Sequence, residues 1–253
     1  MNAPPRLSVS PAGAADKHAA VQRMFGRIAR RYDLMNTVMT GGLDGAWRRR
    51  TAQIAMVPEG GRALDVGTGT GDLAMTLARS APGAYVVGLD YTGPMLALAP
   101  HKARERHLGG QTSWVQGDGQ RLPFGDNTFD AVTSAFVLRN FADLDAALAE
   151  MARVVAPGGR VVALEISPGG LPVWRTFFGV FFQHLVPRLG ALIAGDPMAY
   201  DYLPASVAAF LTPEEVADRM RAAGLAPQPP RRMMFGSLVI HWAVKGDPAA
   251  QPN

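Results

Sequence analysis

The sequence predicts an α/β fold in which helices cover both faces of a doubly wound, mostly parallel sheet. Short apolar segments alternate regularly with helical segments from residue 63 to residue 166. Parallel strands need a crossover connection, usually a helix, so this alternation is typical of a parallel sheet. Three glycines, at positions 67, 69 and 71, stand where the first predicted strand turns into a helix. In such folds ligands bind at the carboxyl ends of the strands.

The predicted strands of the parallel part are short and rich in apolar residues. They cover Ala63–Val66, Ala84–Asp90, Ser113–Gln116, Phe129–Phe136 and Arg160–Ile166. Helices are expected between them, over Asp72–Arg79, Pro94–Arg106 and Asp143–Val155. The run Pro157-Gly158-Gly159 is expected to form a turn before the fifth strand, because Pro and Gly favour tight turns.

The C-terminal part of the chain predicts an antiparallel end to the sheet. Thr212 is a favourable N-cap for a helix that begins at Pro213 and ends near Gly224. The segments around Met233 and over Leu238–Val244 lie close enough in sequence to pair as antiparallel strands. With the earlier strands they complete a sheet of seven.

One domain is expected for a chain of 253 residues, of which 48% are apolar. We expect it to span residues 18–245 and to open with helices over Ala19–Ala55, interrupted near Gly41-Gly42. Residues 1–17 are rich in Ala and Pro, and we expect them and residues 246–253 to be disordered tails.

The composition excludes several kinds of chemistry. The chain has no cysteine, which rules out disulfides, thiolate nucleophiles and cysteine-ligated metals, and we expect no metal site. Prolines interrupt the first twenty residues, which do not resemble a signal peptide. The net charge of +4 and pI near 9.8 favour anionic partners, although such a balance more often reflects only a hydrated surface. Basic residues cluster early, at Arg23, Arg27, Arg30, Arg31, Arg48, Arg49 and Arg50.

The glycine-rich segment reads Leu-Asp-Val-Gly-Thr-Gly-Thr-Gly-Asp over Leu64–Asp72. Glycine allows a ligand to approach the backbone closely and tolerates strained dihedral angles. A dinucleotide-binding loop has the spacing G-x-G-x-x-G, which seats a pyrophosphate at the helix terminus. Here the spacing is G-x-G-x-G, and Asp72 follows directly. Its carboxylate would repel a pyrophosphate but suits a cofactor that carries positive amino and sulfonium groups.

Two further acids follow the next two predicted strands. Asp90 ends the second strand, where a carboxylate can accept hydrogen bonds from both hydroxyls of a ribose. Asp118 follows the third strand and is placed to accept a hydrogen bond from the amino group of an adenine. A glycine-rich turn alone is weak evidence, but three features after three successive strands together predict a nucleoside-containing cofactor.

Several motifs resemble those of a known family, the quinone-biosynthesis C-methyltransferases, which methylate demethylmenaquinol or a polyprenyl benzoquinol. The likeness covers about residues 21–245. Besides the glycine loop, it rests on Phe25–Asn36, Leu122–Asp130, Phe136–Asn140, Met151–Val154, Pro157–Arg160, Leu164–Ser167, Ala194–Asp196, Tyr200–Leu203 and Ala243–Lys245. Three positions depart from the family pattern, namely Ala135, Val137 and Pro204.

The resemblance implies the class I methyltransferase fold, which is Rossmann-like, and S-adenosylmethionine as cofactor. It also implies N-terminal helices and an apolar helical insertion before the last strands. The cofactor-binding residues that we infer are Tyr32, Gly67, Gly69, Thr70, Gly71, Asp90, Asp118 and Gly119. The catalytic candidates are Arg139, Asp72 and Asn140.

Arg139 is the candidate for stabilising a developing phenolate, because its guanidinium stays charged. The alternative is a structural ion pair between Arg139 and an acid at a helix N-terminus. Asn140 either positions the same turn or caps a helix. The general base stays open, with Asp72, His184, His241 and the pair Tyr200/Tyr202 as candidates.

The substrate expected from the resemblance is a demethylmenaquinol, with a benzoquinol or another small hydrophobic molecule as alternatives. The aromatic-rich segment 171–194 is expected either to receive the substrate or rest on the bilayer, or to be an ordinary core helix. Its charged residues argue against a membrane span. A cytoplasmic location is expected, with peripheral contact to the inner face of the membrane, and a homodimer is possible.

A nucleic-acid methyltransferase is the alternative that the high pI suggests. The residues after the fourth predicted strand, Ser134–Val137, read Ser-Ala-Phe-Val rather than an Asn-Pro-Pro-Tyr-like tetrapeptide. They cannot present the same polar edge to a flipped base. We therefore expect no nucleic-acid partner. A non-catalytic protein that retains the cofactor fold is the remaining alternative, and turnover would exclude it.

Overall fold

The structure, a computed structural model, describes residues 11–168, 202 and 205–246, with side chains from residue 23 onward. Two helices come first, α1 (Pro11–Thr40) and α2 (Asp44–Ala55). Gly41 and Gly42 separate them with φ of +59° and +79°, which confirms the predicted interruption. Glycine adopts this left-handed conformation without steric cost.

The predicted N-terminal tail is wrong for residues 11–17, because α1 already begins at Pro11. Proline suits the first turn of a helix, where its missing N–H would have no partner, and the following Ala-rich residues favour helix. Residues 1–10 and 247–253 of the expected tails lie outside the described residues.

Five strands form the parallel part, as the sequence predicts. They are β1 (Arg62–Val66), β2 (Tyr85–Asp90), β3 (Thr112–Gln116), β4 (Phe129–Ala135) and β5 (Val155–Ile166). Their order in the sheet is β3-β2-β1-β4-β5, and every pair in this series is parallel. The order reverses beside β1, and a doubly wound sheet binds its ligand at this kind of switch point.

The connecting helices are α3 (Asp72–Ser80), α4 (Gly93–Leu96), α5 (Ala99–Glu105) and α6 (Leu144–Val154). The single helix predicted over Pro94–Arg106 is therefore wrong, since the structure has two helices there. Pro100 gives the reason, because it lacks the N–H that a continuous helix would use to reach the carbonyl of Leu96.

The predicted turn Pro157-Gly158-Gly159 is also different in the structure, where these residues lie within β5. The register shifts there, because Phe129 pairs with Val155 while Ala131 pairs with Arg160. Gly158 has a φ of +75°, so the turn-forming residues produce an irregularity inside a longer strand.

The C-terminal part closes the sheet with antiparallel strands, as predicted. Helix α7 (Pro213–Ala222) begins with a capping box between Thr212 and Glu215. Strand β8 (Leu238–Lys245) pairs antiparallel with β5. Two short strands, β6 (Leu225–Pro227) and β7 (Arg231–Met233), pair with opposite ends of the other edge of β8. The eight strands of the described residues thus occupy seven positions.

Helices pack on both faces of the sheet, which gives the fold its two apolar cores. Adjacent residues of β1 face opposite ways: Leu64 packs in the core with Met151 of α6, and Ala63 in the core with Ala52 of α2 and Leu77 of α3. These side chains are almost completely buried, and burying each larger one contributes about 1.5–3 kcal/mol. In the described part of the chain, no helix has the length and apolar character needed to cross a bilayer.

Candidate active site

The glycine loop lies at the carboxyl end of β1 and forms the floor of a cavity. The backbone N–H groups of Gly67 and Thr68 donate to the carbonyl of Leu89, at 2.7 and 3.0 Å. Gly67 has a φ of +69°, and a Cβ there would lie 2.5 Å from Val137. Only glycine therefore fits between β1 and the turn after β4.

Asp90 fixes this loop from the end of β2. One carboxylate oxygen accepts from the N–H of Gly69 at 2.7 Å, and the other accepts from the N–H of Thr92 at 2.7 Å. Burial raises the pKa of Asp90, although both backbone donors oppose the rise. Asp90 thus both shapes the loop and presents a carboxylate to the cavity, where the sequence predicts contact with a ribose.

All but one of the predicted cofactor-binding residues line this first cavity. The residues that do so are Tyr32, Gly67, Gly69, Thr70, Asp90, Asp118 and Gly119. Gly71 does not line it, and its role is to allow close packing: a Cβ there would lie 2.5 Å from the ring of Trp114. Gly119 is equally constrained, since its Cβ would lie 2.7 Å from Phe141.

Asp65 is a buried acid of this cavity to which the sequence analysis assigned no role. Its carboxylate accepts from the hydroxyls of Thr68 at 2.7 Å and Thr133 at 2.9 Å. Burial raises the pKa of Asp65 to about 6, despite these two hydrogen bonds. Its position in the apolar run of β1 was the available signal, because an acid on a central strand is rarely buried without a function.

Asp72 lies at the rim of the same cavity, among cations. Its carboxylate is 2.9 Å from both Lys102 and Arg106. Burial alone would raise the pKa of Asp72, but Lys102, Arg48 and Arg106 outweigh it and lower the pKa below its ordinary value. A carboxylate in this state is a weak proton acceptor, so its environment does not favour the predicted catalytic role.

Lys102 links three elements around the cavity. Its ammonium donates to Asp33 of α1 at 2.5 Å, to the hydroxyl of Thr70 at 2.8 Å, and pairs with Asp72. Thr70 in turn donates to Asp33 at 2.6 Å. The network holds α1 against the glycine loop. The sequence analysis missed Lys102, and no local motif marks it, because its partners lie far away in the chain.

A second, mainly apolar cavity adjoins the first. Phe25, Tyr32 and Phe136 line both, so the two spaces share a wall. The second cavity is bounded by α1, α2 and the segments around β5 and β8, and its lining includes Met24, Ile28, Met35, Met39, Trp47, Ile166, Met234 and Leu238. The α1 residues recur at helical spacing, which was a signal in the sequence for an inward face.

Arg139 lines the second cavity and is paired with an acid. Its guanidinium donates to Glu165 of β5 at 2.6 Å, and the two side chains are 6% and 0% exposed. The second oxygen of Glu165 accepts from the N–H of Leu138 at 2.7 Å. Burial raises the pKa of Glu165, while Arg139 opposes the rise. An ion pair therefore exists, but its acid stands on a strand rather than at a helix N-terminus.

Asn140, the third catalytic candidate, lines the first cavity and braces the turn after β4. Its amide donates to the carbonyl of Phe136 at 3.3 Å, and its carbonyl accepts from the hydroxyl of Tyr202 at 3.1 Å. Burial raises the pKa of Tyr202, and also that of Tyr32. Both phenols are therefore protonated near neutral pH.

Of the other base candidates, His241 lies away from the site. His241 is buried on β8, and it lines neither of the two cavities. Burial lowers the pKa of His241 to about 4, which is the behaviour of a neutral core histidine. His184 and Tyr200, like the predicted apolar wall over residues 171–194, lie outside the described residues. The identity of the base stays open.

The residues that line the first cavity have the chemistry needed to bind S-adenosylmethionine. Its glycine cradle lets a ligand approach the backbone, and it carries the carboxylates of Asp65, Asp72 and Asp90. Carboxylates suit ribose hydroxyls and a positively charged amino acid with a sulfonium. The negative charge of these carboxylates would repel a pyrophosphate.

Comparisons with known proteins support this assignment. Residues 13–245 match the ubiE/COQ5 methyltransferase family. The chain is similar to the demethylmenaquinone methyltransferases of Deinococcus radiodurans, 48% identical over 87% of this chain and 90% of the relative, and of Thermus thermophilus, 47% identical over 86% and 98%. It is also 43% identical to the ubiquinone/menaquinone biosynthesis C-methyltransferase UbiE of Desulfotalea psychrophila, over 90% and 92%.

Solved structures agree on the fold. The [4+2]-cyclase SpnF is similar with a TM-score of 0.69 and 19% identity, over 90% of this chain and 97% of the other. Geranyl diphosphate methyltransferase in complex with S-adenosylmethionine has a TM-score of 0.58 and 17% identity, over 82% and 88%. The class I methyltransferase fold and the cofactor predicted from sequence are confirmed. The chain belongs to the ubiE/COQ5 methyltransferase family and is an S-adenosylmethionine-dependent enzyme.

Proposed function

We propose that this enzyme methylates a ring carbon of a demethylmenaquinol to give menaquinol. The observation that carries the proposal is the apolar cavity beside the cofactor cavity, with Phe25, Tyr32 and Phe136 shared between them. A flat aromatic ring in the second cavity would lie next to a cofactor in the first. Relatives that share nearly half of their residues with this chain are named for this reaction.

The chemistry requires an electron-rich ring carbon in line with the donor. When bound, S-adenosylmethionine supplies an electrophilic methyl group. The chain aligns the two partners by enclosing them in adjoining cavities, which can lower the barrier by several kcal/mol. The apolar lining excludes water, which strengthens a hydrogen bond from the guanidinium of Arg139, already paired with Glu165, to a ring oxygen. Arg139 thereby stabilises the developing phenolate, which makes the ring carbon nucleophilic.

The composition of the second cavity favours a naphthoquinol over a benzoquinol. Methionines and aromatic residues dominate its described lining, and polar groups are few. A naphthoquinol has a second fused ring to bury and fewer polar substituents than the benzoquinol precursor. At about 25 cal/mol per Å² of apolar surface, that ring contributes roughly 1–2 kcal/mol to binding.

The proposal also includes peripheral contact with an anionic membrane, through the exposed face of α1. Arg23, Arg27, Arg30, Leu34 and Val38 recur at spacings of three and four residues, so they share one face of the helix. Leu34 is 55% exposed and Val38 is 42% exposed. A basic and apolar helix face of this kind binds the surface of anionic bilayers. The opposite face of the same helix lines the second cavity, and this arrangement supports entry of the quinol from the lipid.

A competition assay tests the function. A demethylnaphthoquinol and the demethylated benzoquinol, with identical short tails, are offered together under anaerobic conditions. We expect a specificity constant about five- to thirtyfold higher for the naphthoquinol, in line with the burial of its second ring. Equal constants, or a preference for the benzoquinol, would contradict the substrate assignment. Complementation of mutants that lack quinone methylation, with mass spectrometry of the extracted quinones, provides the independent measurement in cells.

A further inference from the structure

Two side chains in the wall of the second cavity each carry a buried nitrogen with an N–H group that has no acceptor. Three buried side-chain nitrogen or oxygen atoms of the described residues lack a hydrogen bond: Nδ2 of Asn36, Nε of Arg139 and Oγ of Ser134. Asn36 and Arg139 both line the second cavity. Leaving a buried donor unpaired costs about 1–3 kcal/mol, so such atoms are uncommon unless a ligand satisfies them.

The neighbouring polar groups are already engaged. Tyr32 interacts with the side chain of Asn36, but Nδ2 carries two N–H groups, so one of them keeps no acceptor. The hydroxyl of Tyr202 donates to Asn140, and Glu165 accepts from Arg139 and from the backbone of Leu138. Both unpaired atoms are N–H donors, so a ligand must bring acceptors to them. The surrounding methionines and aromatic rings require the rest of that ligand to be apolar. A flat apolar ring with two oxygen atoms meets both requirements.

The two donors stand on different elements around the cavity. Asn36 lies on α1, one helical turn after Tyr32, and Arg139 lies in the short 3-10 turn Leu138–Asn140 after β4. Tyr32 lines both cavities, whereas Asn36 and Arg139 line only the second. A ring between α1 and the β4 turn can therefore meet one donor from each element.

We infer that Asn36 is a specificity-determining residue that donates a hydrogen bond from Nδ2 to one ring oxygen of the substrate, while Arg139 binds the other oxygen. The inference rests on the proposed function and refines it. Asn36 then selects rings with two oxygens over rings with one. Arg139, which carries the charge, holds the oxygen that the reaction makes anionic.

A pair of ligands that differ by one oxygen tests this role. The probes are a 1,4-dihydroxynaphthalene and the matching 1-naphthol, both with the same prenyl chain. Their affinities are measured by calorimetry under anaerobic conditions, with S-adenosylhomocysteine bound to the full-length protein. We expect the wild-type protein to bind the dihydroxy ligand about five- to tenfold more tightly, the usual worth of one neutral hydrogen bond.

Replacing Asn36 should abolish that preference without abolishing binding. We expect Asn36→Leu, which keeps the size but removes the donor, to bind the two ligands equally. Asn36→Ala serves as the second variant if the leucine does not fold, as judged by thermal melting. Met39→Ala is the matched control, since it removes apolar contact on the same stretch of α1 and should weaken both ligands by the same factor.

The possible failures can be told apart. If the wild-type preference survives in Asn36→Leu and Asn36→Ala, or if both variants lose the two ligands by equal factors, the role of Asn36 is wrong while the proposed function stands. If the wild-type protein binds neither naphthalene ligand and turns over no naphthoquinol, the proposed function fails, and the role of Asn36 fails with it.

Discussion

At the scale of single residues, the buried carboxyl of Asp65 has a pKa much closer to neutral pH than an ordinary aspartate. It is 1% exposed, and burial raises its pKa to about 6. The hydroxyls of Thr68 and Thr133 donate to it, which limits the rise. Because the folded protein holds this proton more tightly than the unfolded chain does, Asp65 makes the stability depend on pH.

We predict that Asp65→Asn removes part of the pH dependence of stability. A raised folded pKa contributes stability that is fully present below the unfolded pKa near 3.8 and is lost as pH rises through about 6. Between pH 4 and pH 7 the wild-type protein should therefore lose about 2 kcal/mol relative to the variant. Denaturant unfolding of both proteins across this range measures the difference. Parallel curves for the two proteins would show that Asp65 is ionised throughout.

The pair of Arg139 and Glu165 combines a structural role with the proposed catalytic one, and a double variant separates them. Arg139→Met alone leaves Glu165 buried without its partner, which should cost about 3–5 kcal/mol of stability. Arg139→Met with Glu165→Gln should recover most of that stability, because no buried charge remains. We expect turnover to stay at least about 100-fold below the wild type in both variants. Thermal melting and methyl transfer are measured on the same samples, and recovery of turnover in the double variant would make the pair purely structural.

At the scale of elements, α1 is the part that closes both cavities. Its inner face provides Phe25 and Tyr32 to the two spaces, and Asp33 ties it to the glycine loop through Thr70 and Lys102. The side chain of Lys102 is 15% exposed, so its interactions are only partly screened by water. Lys102 of α5 and Thr70 of the glycine loop therefore both hold α1 through Asp33.

We predict that Lys102→Met weakens cofactor binding about tenfold, because charge-assisted hydrogen bonds to Asp33 and Thr70 are lost and α1 is released. Calorimetry with S-adenosylhomocysteine measures the affinity, and hydrogen exchange over residues 23–40 reports the release of the helix. Arg106→Met is the matched control, because Arg106 pairs with the same Asp72 and its other hydrogen bond goes to Met75 of α3. It should change the affinity less than about twofold. Equal effects of the two variants would assign the loss to Asp72 rather than to the position of α1.

At the scale of the whole molecule, the two ends of the parallel strands carry different features. The carboxyl edge carries both cavities and α1, with its basic and apolar outer face. The opposite edge carries exposed basic residues of its own, Arg62 at the start of β1 and Arg79 near the end of α3. If α1 contacts the membrane, reversing charges on α1 should weaken binding more than reversing the same number of charges at the opposite end of the strands.

We predict that the protein binds vesicles containing phosphatidylglycerol and that added salt weakens this binding. Arg23→Glu with Arg30→Glu should lower the partition coefficient about tenfold or more, since each basic residue near such a surface contributes about 1 kcal/mol. Arg62→Glu with Arg79→Glu changes the net charge equally at the far edge and should have a smaller effect. Vesicle sedimentation measures all three proteins. Equal losses in the two double variants would indicate attraction by net charge alone.

The sequence by itself determined the fold class, the succession of strands and helices along the chain, and the cofactor loop. These depend on local patterns: the alternation of apolar strands and helices, the glycine spacing of Gly67 and Gly69, and the Thr212 cap, each of which acts within a few residues. The break of the predicted helix at Pro100 and the irregular β5 were missed, although their signals were also local. Proline at position 100 lies in the first turn of a second helix, and the proline and glycines at positions 157–159 lie inside a strand that continues.

Only the tertiary structure decided which side chains share a site. Lys102 meets Asp33 across 69 residues of sequence, and Arg139 meets Glu165 across 26. Such pairs depend on how helices and strands pack, and no periodicity along the chain encodes the partner. The second cavity shows the same limit, since α1 builds one wall while residues from the end of the sheet build another. Motifs identify the chemistry that a chain can perform, whereas packing decides where each donor, charge and apolar surface meets its ligand.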